Sequence, residues 1–189
     1  FTSTAQKVLS ITVDATINPA TAEFIHRAIV RTEKEKAQCL IIHLNTPGGL
    51  LKSTRNIVGD IMEASVPVIV YVSPAGADAG SAGVFVTLSA HIAAMAPGTN
   101  IGAAHPVGMQ TTVDSVMYGK ITNDAAAFIR TIAQKRHRNI AWAENAVRRS
   151  YSYSETEALS DTVIDLIAKN DMELLRMVDG KKIELSSGD

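Results

Sequence analysis

A single cysteine, Cys39, leaves no disulfide to form within the chain and no thiolate set to hold a metal. It stands in the apolar run Cys39-Leu40-Ile41-Ile42, where a cysteine serves as a small buried hydrophobe. Net charge is also lacking. The 18 Lys and Arg against 19 Asp and Glu give −1, which is neither the basic footprint of a nucleic-acid-binding protein nor an acidic tail. Long apolar runs are missing too: the most apolar window, residues 84–97, is interrupted by Thr87, Ser89 and His91 and is too short to cross a bilayer. No leader is legible, and Phe1 in place of Met suggests a start that was processed or cut. What is present, 46% hydrophobic and 20% charged residues over 189 positions, suits one globular domain with a sizeable core.

Along the chain, Val8 to Val13 alternates as a strand does, and Asn18-Pro19 supplies a cap and a first-turn proline for a helix with Phe24, Ile25, Ala28 and Ile29 on one face. Leu40 to Leu44 reads as a buried strand ending at Asn45-Thr46-Pro47-Gly48-Gly49, and Leu51, Ile57, Val58, Ile61 and Met62 then recur at helical spacing. A third strand, Val68 to Val72, leads through Ser73-Pro74-Ala75-Gly76 into the small-residue run Ala79-Gly80-Ser81-Ala82-Gly83. An apolar helix and the strand Ile92 to Met95 follow. Strands without polar alternation, separated by helices, predict an α/β fold with a parallel sheet covered on both faces. Residues 106–119 lose all periodicity and read as a long loop. Helical spacing resumes at Ile121 and continues around Trp142 to Val147, and Ser154-Glu155-Thr156-Glu157 reads as a capping box. A strand over Val163 to Ile167 and a helix over Asp171 to Val178 complete the series.

Two strand-to-helix turns carry the chemistry. Gly48-Gly49 leaves backbone N–H groups free to face an anion or a developing oxyanion, although glycines also serve turns for conformational reasons alone. Neither glycine stretch has the spacing of a phosphate-binding loop. Ser81 starts a helix at the carboxyl end of the sheet, where α/β folds place ligands, and the following amide of Ala82 would point the same way. The competing reading makes Ser81 a helix cap. Its small neighbours would then leave room either for close packing or for a substrate backbone. A serine needs a base. His26 and His137 on helices, His43 in a strand and His91 after the Ser81 helix suit structural roles. That leaves His105, in Ala103-Ala104-His105-Pro106, and Lys120, placed by periodicity at a helix start where the dipole and burial would depress its pKa.

The segments Asn45-Thr46-Pro47-Gly48-Gly49, Gly76 to Gly83 and Ala96 to Pro106, in that order, together resemble the NfeD-type membrane-bound serine proteases of the Clp protease class. With Lys120-Ile121-Thr122-Asn123 and Glu157-Ala158-Leu159 included, the likeness covers nearly the whole chain. The resemblance implies a Clp/crotonase-like fold of stacked βαβ units over residues 1–189 and a Ser-Lys dyad. Ser81 would attack, Lys120 would act as general base and acid, and Gly48, Gly49 and Ala82 would supply the oxyanion hole, with no cofactor or metal. It also implies apolar segments of stomatin-like membrane proteins as substrates, assembly as a homodimer, and membrane attachment through segments outside this chain, with the catalytic domain on the extracytoplasmic side. The apolar residues Met109, Val113, Val116, Met117 and Tyr118 of the 106–119 stretch suit a clamp on a hydrophobic peptide, or equally a subunit contact.

The wider Clp peptidases use Ser-His-Asp. His105 lies 24 positions after Ser81, close to the spacing of their histidine, but laying their acidic segment on Ser150 to Asp165 puts Ser150 where the aspartate belongs. Without a carboxylate an imidazole loses its orienting partner, which favours Lys120 as the base. A non-catalytic scaffold that binds a hydrophobic peptide, or a CoA-thioester enzyme of the crotonase type, would share the fold without the serine chemistry.

Overall fold

The computed structural model describes residues 7–106 and 115–186. Five parallel strands form the main sheet in the order β1 (Val8–Asp14), β2 (Cys39–Asn45), β3 (Val68–Val72), β5 (Ile92–Met95) and β8 (Leu166–Ile167). The crossovers are α1 (Pro19–Lys34), α2 (Leu51–Glu63) and α3 (Ala82–Ser89). A smaller sheet pairs β4 (Asp78–Ala79), β6 (Asn100–Gly102) and β7 (Ser152–Ser154). The remaining helices are α4 (Ser115–Lys135), α5 (Ile140–Arg148), α6 (Glu155–Ser160) and α7 (Asp171–Val178).

The strand order is the chain order, so each right-handed crossover deposits its helix on the same side of the sheet. The core records this asymmetry. Leu40, Ile42, Leu44, Val68, Val70 and Val72 pack with residues of α1 to α5, whereas Ile41, Ile69, Tyr71, Ile92 and Ala94 face Leu166, Ala168 and Leu174 of the C-terminal segment. The sheet is covered on both faces as expected, but unevenly. β2, β3 and β5 are almost wholly buried, which is why their sequences show no polar alternation, while the edge strand β1 has only Val13 fully buried.

Local signals behave as written in the sequence. Asn18 Oδ1 accepts from the Ala20 and Thr21 amides at 2.8 and 3.0 Å with Pro19 at the helix start, and Ser154 and Glu157 form a reciprocal capping box. Cys39 is buried, and burial pushes its thiol pKa up. Three boundaries differ. The strand expected over Val163 to Ile167 shrinks to Leu166–Ile167, because the Val163 and Ile164 amides turn back to the Ala158 carbonyl at 2.8 and 3.2 Å. His137 sits in a turn after α4, at φ 54°, and not on a helix. The stretch read as a loop over 106–119 already contains the first turns of α4, which begins at Ser115.

The second sheet is built from the strand ends. Thr46, just past β2, bridges Ala79 of β4, and Gly49 bridges Ile17, so the connections leaving β1, β2 and β3 lie side by side in extended form. This strip carries the candidate site.

Candidate active site

Ser81 occupies the N-cap position of α3, but its side chain makes no capping hydrogen bond. Its backbone stands at φ 48°, ψ −108°, a conformation that a residue with a Cβ adopts at a cost of order 1–3 kcal/mol. The Ser81 amide donates to the Ala103 carbonyl at 2.8 Å and its carbonyl accepts from Val84 at 3.1 Å, which locks the turn. A serine merely capping a helix would need an extended backbone and a hydroxyl turned to the helix amides. The observed geometry is instead a strained strand-to-helix elbow, and among the described residues the Ser81 hydroxyl has no hydrogen-bond partner.

The small neighbours have a definite use. A Cβ on Gly80 would lie 3.2 Å from the Pro47 carbonyl oxygen and 2.7 Å from Asp78 Oδ2, and one on Gly83 would lie 2.8 Å from Thr46 Cγ2. They therefore admit the Pro47 backbone and the Thr46 side chain, so the room expected for a substrate chain is filled here by the protein itself. A Cβ on Gly48, at φ 117°, would come within 2.5 Å of Ser81 Cβ, 3.0 Å of Ser81 Oγ and 3.3 Å of the Ala82 nitrogen. The glycine pair and the serine elbow are thus in direct contact.

The two glycines are not equivalent. The Gly48 amide donates to Thr46 Oγ1 at 3.1 Å, and its carbonyl accepts from the Ile17 amide at 2.8 Å. Ile17 pairs with Gly48 O and with the Leu50 amide, so the intervening Gly49 N–H points away from that bridge. Among the described residues neither the Gly49 nor the Ala82 amide has a backbone or side-chain acceptor recorded outside its own helix. In this they differ from the Gly48 amide, which is held by Thr46. Thr46, fully buried, was not singled out in the sequence, where a threonine ahead of Pro-Gly-Gly looks like ordinary turn chemistry.

Asp78 braces the same strip. Its amide donates to Asn45 Oδ1 at 3.0 Å, and its carboxylate accepts from Asn100 Nδ2 at 2.7 Å. Burial raises its pKa, with the Asn100 hydrogen bond opposing.

The two candidate bases are placed differently from each other. His105 Nδ1 lies 2.6 Å from the Val147 carbonyl oxygen, an acceptor, so Nδ1 carries the proton; Nε2 then accepts from the Tyr118 hydroxyl. Both ring nitrogens are occupied, and neither by Ser81. Lys120 is exposed in the second turn of α4, beyond the helix start where the sequence had placed it and where the dipole acts most strongly. Among the described residues no hydrogen bond joins it to Ser81. From Asp124 onward α4 is fixed: Arg55 Nη2 donates to Asp124 Oδ2 at 2.7 Å, and Ala125, Ala126 and Ile129 are buried. Ahead of that point Val116, Met117 and Ile121 are exposed. Met109 and Val113 of the expected clamp lie outside the described residues. Among the described residues no group of carboxylates, imidazoles or thiols is arranged to hold a metal, and no helix is long and apolar enough to cross a membrane.

Comparison with known proteins bears on this geometry. The profile of the NfeD1b N-terminal domain matches residues 7–181. The membrane-bound protease PH1510 of Pyrococcus horikoshii is 39% identical over 171 residues, which are 89% of this chain and 39% of that protein, so the chain spans well under half the length of this relative. A serine-to-alanine mutant of the 1510-N membrane-bound stomatin-specific protease superposes with a TM-score of 0.90 at 35% identity, covering 97% of this chain and 90% of that one. A lysine-to-alanine mutant of the same protease, in complex with a substrate peptide, superposes with a TM-score of 0.89 at 35% identity, covering 96% and 84%. ClpP1 from Listeria monocytogenes, 18% identical over 87% of this chain and 94% of its own, has a TM-score of 0.70 and shares the fold. The architecture is therefore the Clp-like α/β fold of stacked βαβ units.

Proposed function

The chain belongs to the NfeD1b N-terminal domain family, and on that premise we propose that it is the catalytic part of a serine endopeptidase cutting apolar segments of stomatin-like membrane proteins. Ser81 Oγ attacks the scissile carbonyl carbon and Lys120 Nζ takes its proton. The Gly49 and Ala82 amides stabilise the oxyanion, with Gly48 holding the loop against the nucleophile. Lys120 then protonates the leaving amine, and water, deprotonated by the same lysine, releases the acyl group. The observation that carries this reading is the elbow: Ser81 at φ 48° caps nothing and touches the Gly48 backbone.

An ammonium in water keeps its proton at neutral pH, so an exposed lysine becomes a base only when something dry covers it. Val116, Met117 and Ile121 beside Lys120 on α4, and Leu50 beside the glycine pair, are exposed apolar side chains that would serve as a rim for such a cover. An extended apolar peptide laid on this rim would cover the amine and bring it to Ser81, which ties activity to substrate class. The serine and lysine replaced in the 1510-N mutants, one of them studied with a substrate peptide, support these roles by residue type. His105, satisfied at both nitrogens, holds the start of α4 through Tyr118.

Whole-protein properties follow the family on the same footing: membrane attachment through segments outside this chain, a catalytic domain on the extracytoplasmic side, and a homodimer. The exposed Phe24 and Val30 of α1 are candidates for the dimer contact. The test of the catalytic reading is a fluorophosphonate. Wild-type protein should be labelled on Ser81, and Lys120→Ala should cut peptide turnover at least about a hundred-fold. Undiminished turnover by Lys120→Ala, together with its loss in His105→Ala, would restore the histidine as base.

A further inference from the structure

The other face of the sheet carries three residues that the peptidase reading does not use. His43, in β2, has Nδ1 2.8 Å from Ser73 Oγ, at the end of β3, and Nε2 3.3 Å from Asp171 Oδ2, the first residue of α7. The Asp171 carboxylate is within ion-pair distance of Nε2, and in the tautomer that carries its proton there the Nδ1 lone pair faces the serine hydroxyl, the form a general base requires. We propose that Ser73, His43 and Asp171 form a second, independent hydrolytic site for small carboxylic esters.

Each member is held for the task. Parallel pairing puts His43 beside Tyr71, whose ring centroid lies 5.5 Å from the imidazole, and the Tyr71 hydroxyl is spent on the Ala168 carbonyl at 2.6 Å. Asn170 caps α7 by accepting the Glu173 amide at 3.0 Å, so Asp171 is not needed as a cap. Ser73 has one alternative acceptor, the Tyr71 carbonyl, at the longer distance of 3.3 Å. The three line a cavity of about 600 Å³ walled by Tyr71, Pro74, Ala75, Ala96, Pro97 and Met172. That volume takes a short acyl or aryl ester, and the wall is mostly apolar. The Ala75 amide, two residues beyond Ser73 in the same wall, donates to no acceptor among the described residues and is available to an oxyanion.

The chemistry balances without a cofactor. Ser73 Oγ bonds to the ester carbonyl carbon as its proton passes to His43 Nδ1. The alcohol leaves with that proton, and water, deprotonated by His43, cleaves the acyl-serine to the acid. Asp171 stabilises the imidazolium in each half.

The experiment uses p-nitrophenyl butyrate and a fluorophosphonate on the Ser81→Ala protein, so that Ser81 cannot contribute. Ester hydrolysis above buffer should persist and fall at least tenfold in S81A/S73A and in S81A/H43Q, with the phosphonate recovered on the peptide containing Ser73. Should the Ser73 variant fail to fold, phosphonate mapping on S81A itself gives the answer. S81A protein that carries no label and hydrolyses the ester no faster than buffer would overturn the proposal. So would a rate indifferent to the Ser73 and His43 changes. Label on wild-type Ser81 alone would sink this site and leave the peptidase intact, whereas label on Ser73 alone would do the reverse.

Discussion

A serine seldom stands at φ 48°, ψ −108° for packing reasons, because its Cβ then crowds its own backbone. Glycine lacks that Cβ. Ser81→Gly should therefore remove the nucleophile and yet raise the unfolding free energy by roughly 1 kcal/mol, the relieved strain exceeding the added chain entropy of glycine. Urea titration of both proteins checks this, and a loss of stability would show that the elbow is unstrained. Thr46 offers a second residue-scale test. Its hydroxyl accepts the Gly48 amide within a fully buried side chain, so Thr46→Val keeps the shape and orphans a buried donor. We expect a loss of about 1–3 kcal/mol in stability and a fall in kcat with KM little changed, since the oxyanion strip, not the peptide rim, would move. Ser81 and Gly48-Gly49 were visible in the sequence as small residues at strand ends. Thr46 was not, because its role depends on which amide the turn leaves within reach.

At the scale of elements, the main-sheet strands and α1 to α3 were legible for two reasons: the central strands and α3 are buried all round and read as continuous apolar runs, while α1 and α2 bury one face and show 3.6-residue periodicity. The start of α4 was not legible. Val116, Met117 and Ile121 are exposed, so no amphipathic pattern marks the first turns, and Lys120 lies within the helix and not at its mouth. What holds this end is a long-range link, His105 to Tyr118 on one side and to the Val147 carbonyl on the other, which no local pattern announces. Removing that link with Tyr118→Phe should lower kcat about tenfold while leaving the phosphonate able to reach Ser81, since the nucleophile is positioned independently. Equal turnover by mutant and wild type would mean that α4 is positioned by its Asp124 and Ile129 contacts alone. At the α3 to β5 junction an imidazole makes the fold sensitive to pH. His91 Nδ1 accepts the Val68 amide at 3.1 Å, with the Arg136 guanidinium beside Nε2, and burial followed by that guanidinium lowers its pKa from 6.5 to about 4. A depressed pKa means that the fold prefers neutral imidazole. Stability is thus fully present above pH 6.5 and lost as the pH falls towards 4, by on the order of 2 kcal/mol after solvent screening. Unfolding midpoints across pH 4 to 7 should show this slope, and His91→Gln should flatten it.

For the whole molecule, chain-order strands with right-handed crossovers explain why one face of the sheet is thick with helices and the other thin. The strand ends continue into a second layer that sets Ile17, the glycine pair and the serine elbow side by side, so the fold builds the site from the connections it needs anyway. That layer was the part of the architecture least open to sequence reasoning, because its pairings are only one to three residues long and rest on contacts between distant segments. The central claim is that Ser81 attacks a peptide bond. Its most direct test is digestion of a synthetic apolar segment of a stomatin-like protein by wild-type protein and by Ser81→Ala, each shown to be folded by circular dichroism and followed by mass spectrometry. Specific fragments from the wild type, with a rate at least about a thousand-fold lower for Ser81→Ala, are predicted; fragments produced at equal rates by both proteins would contradict the account.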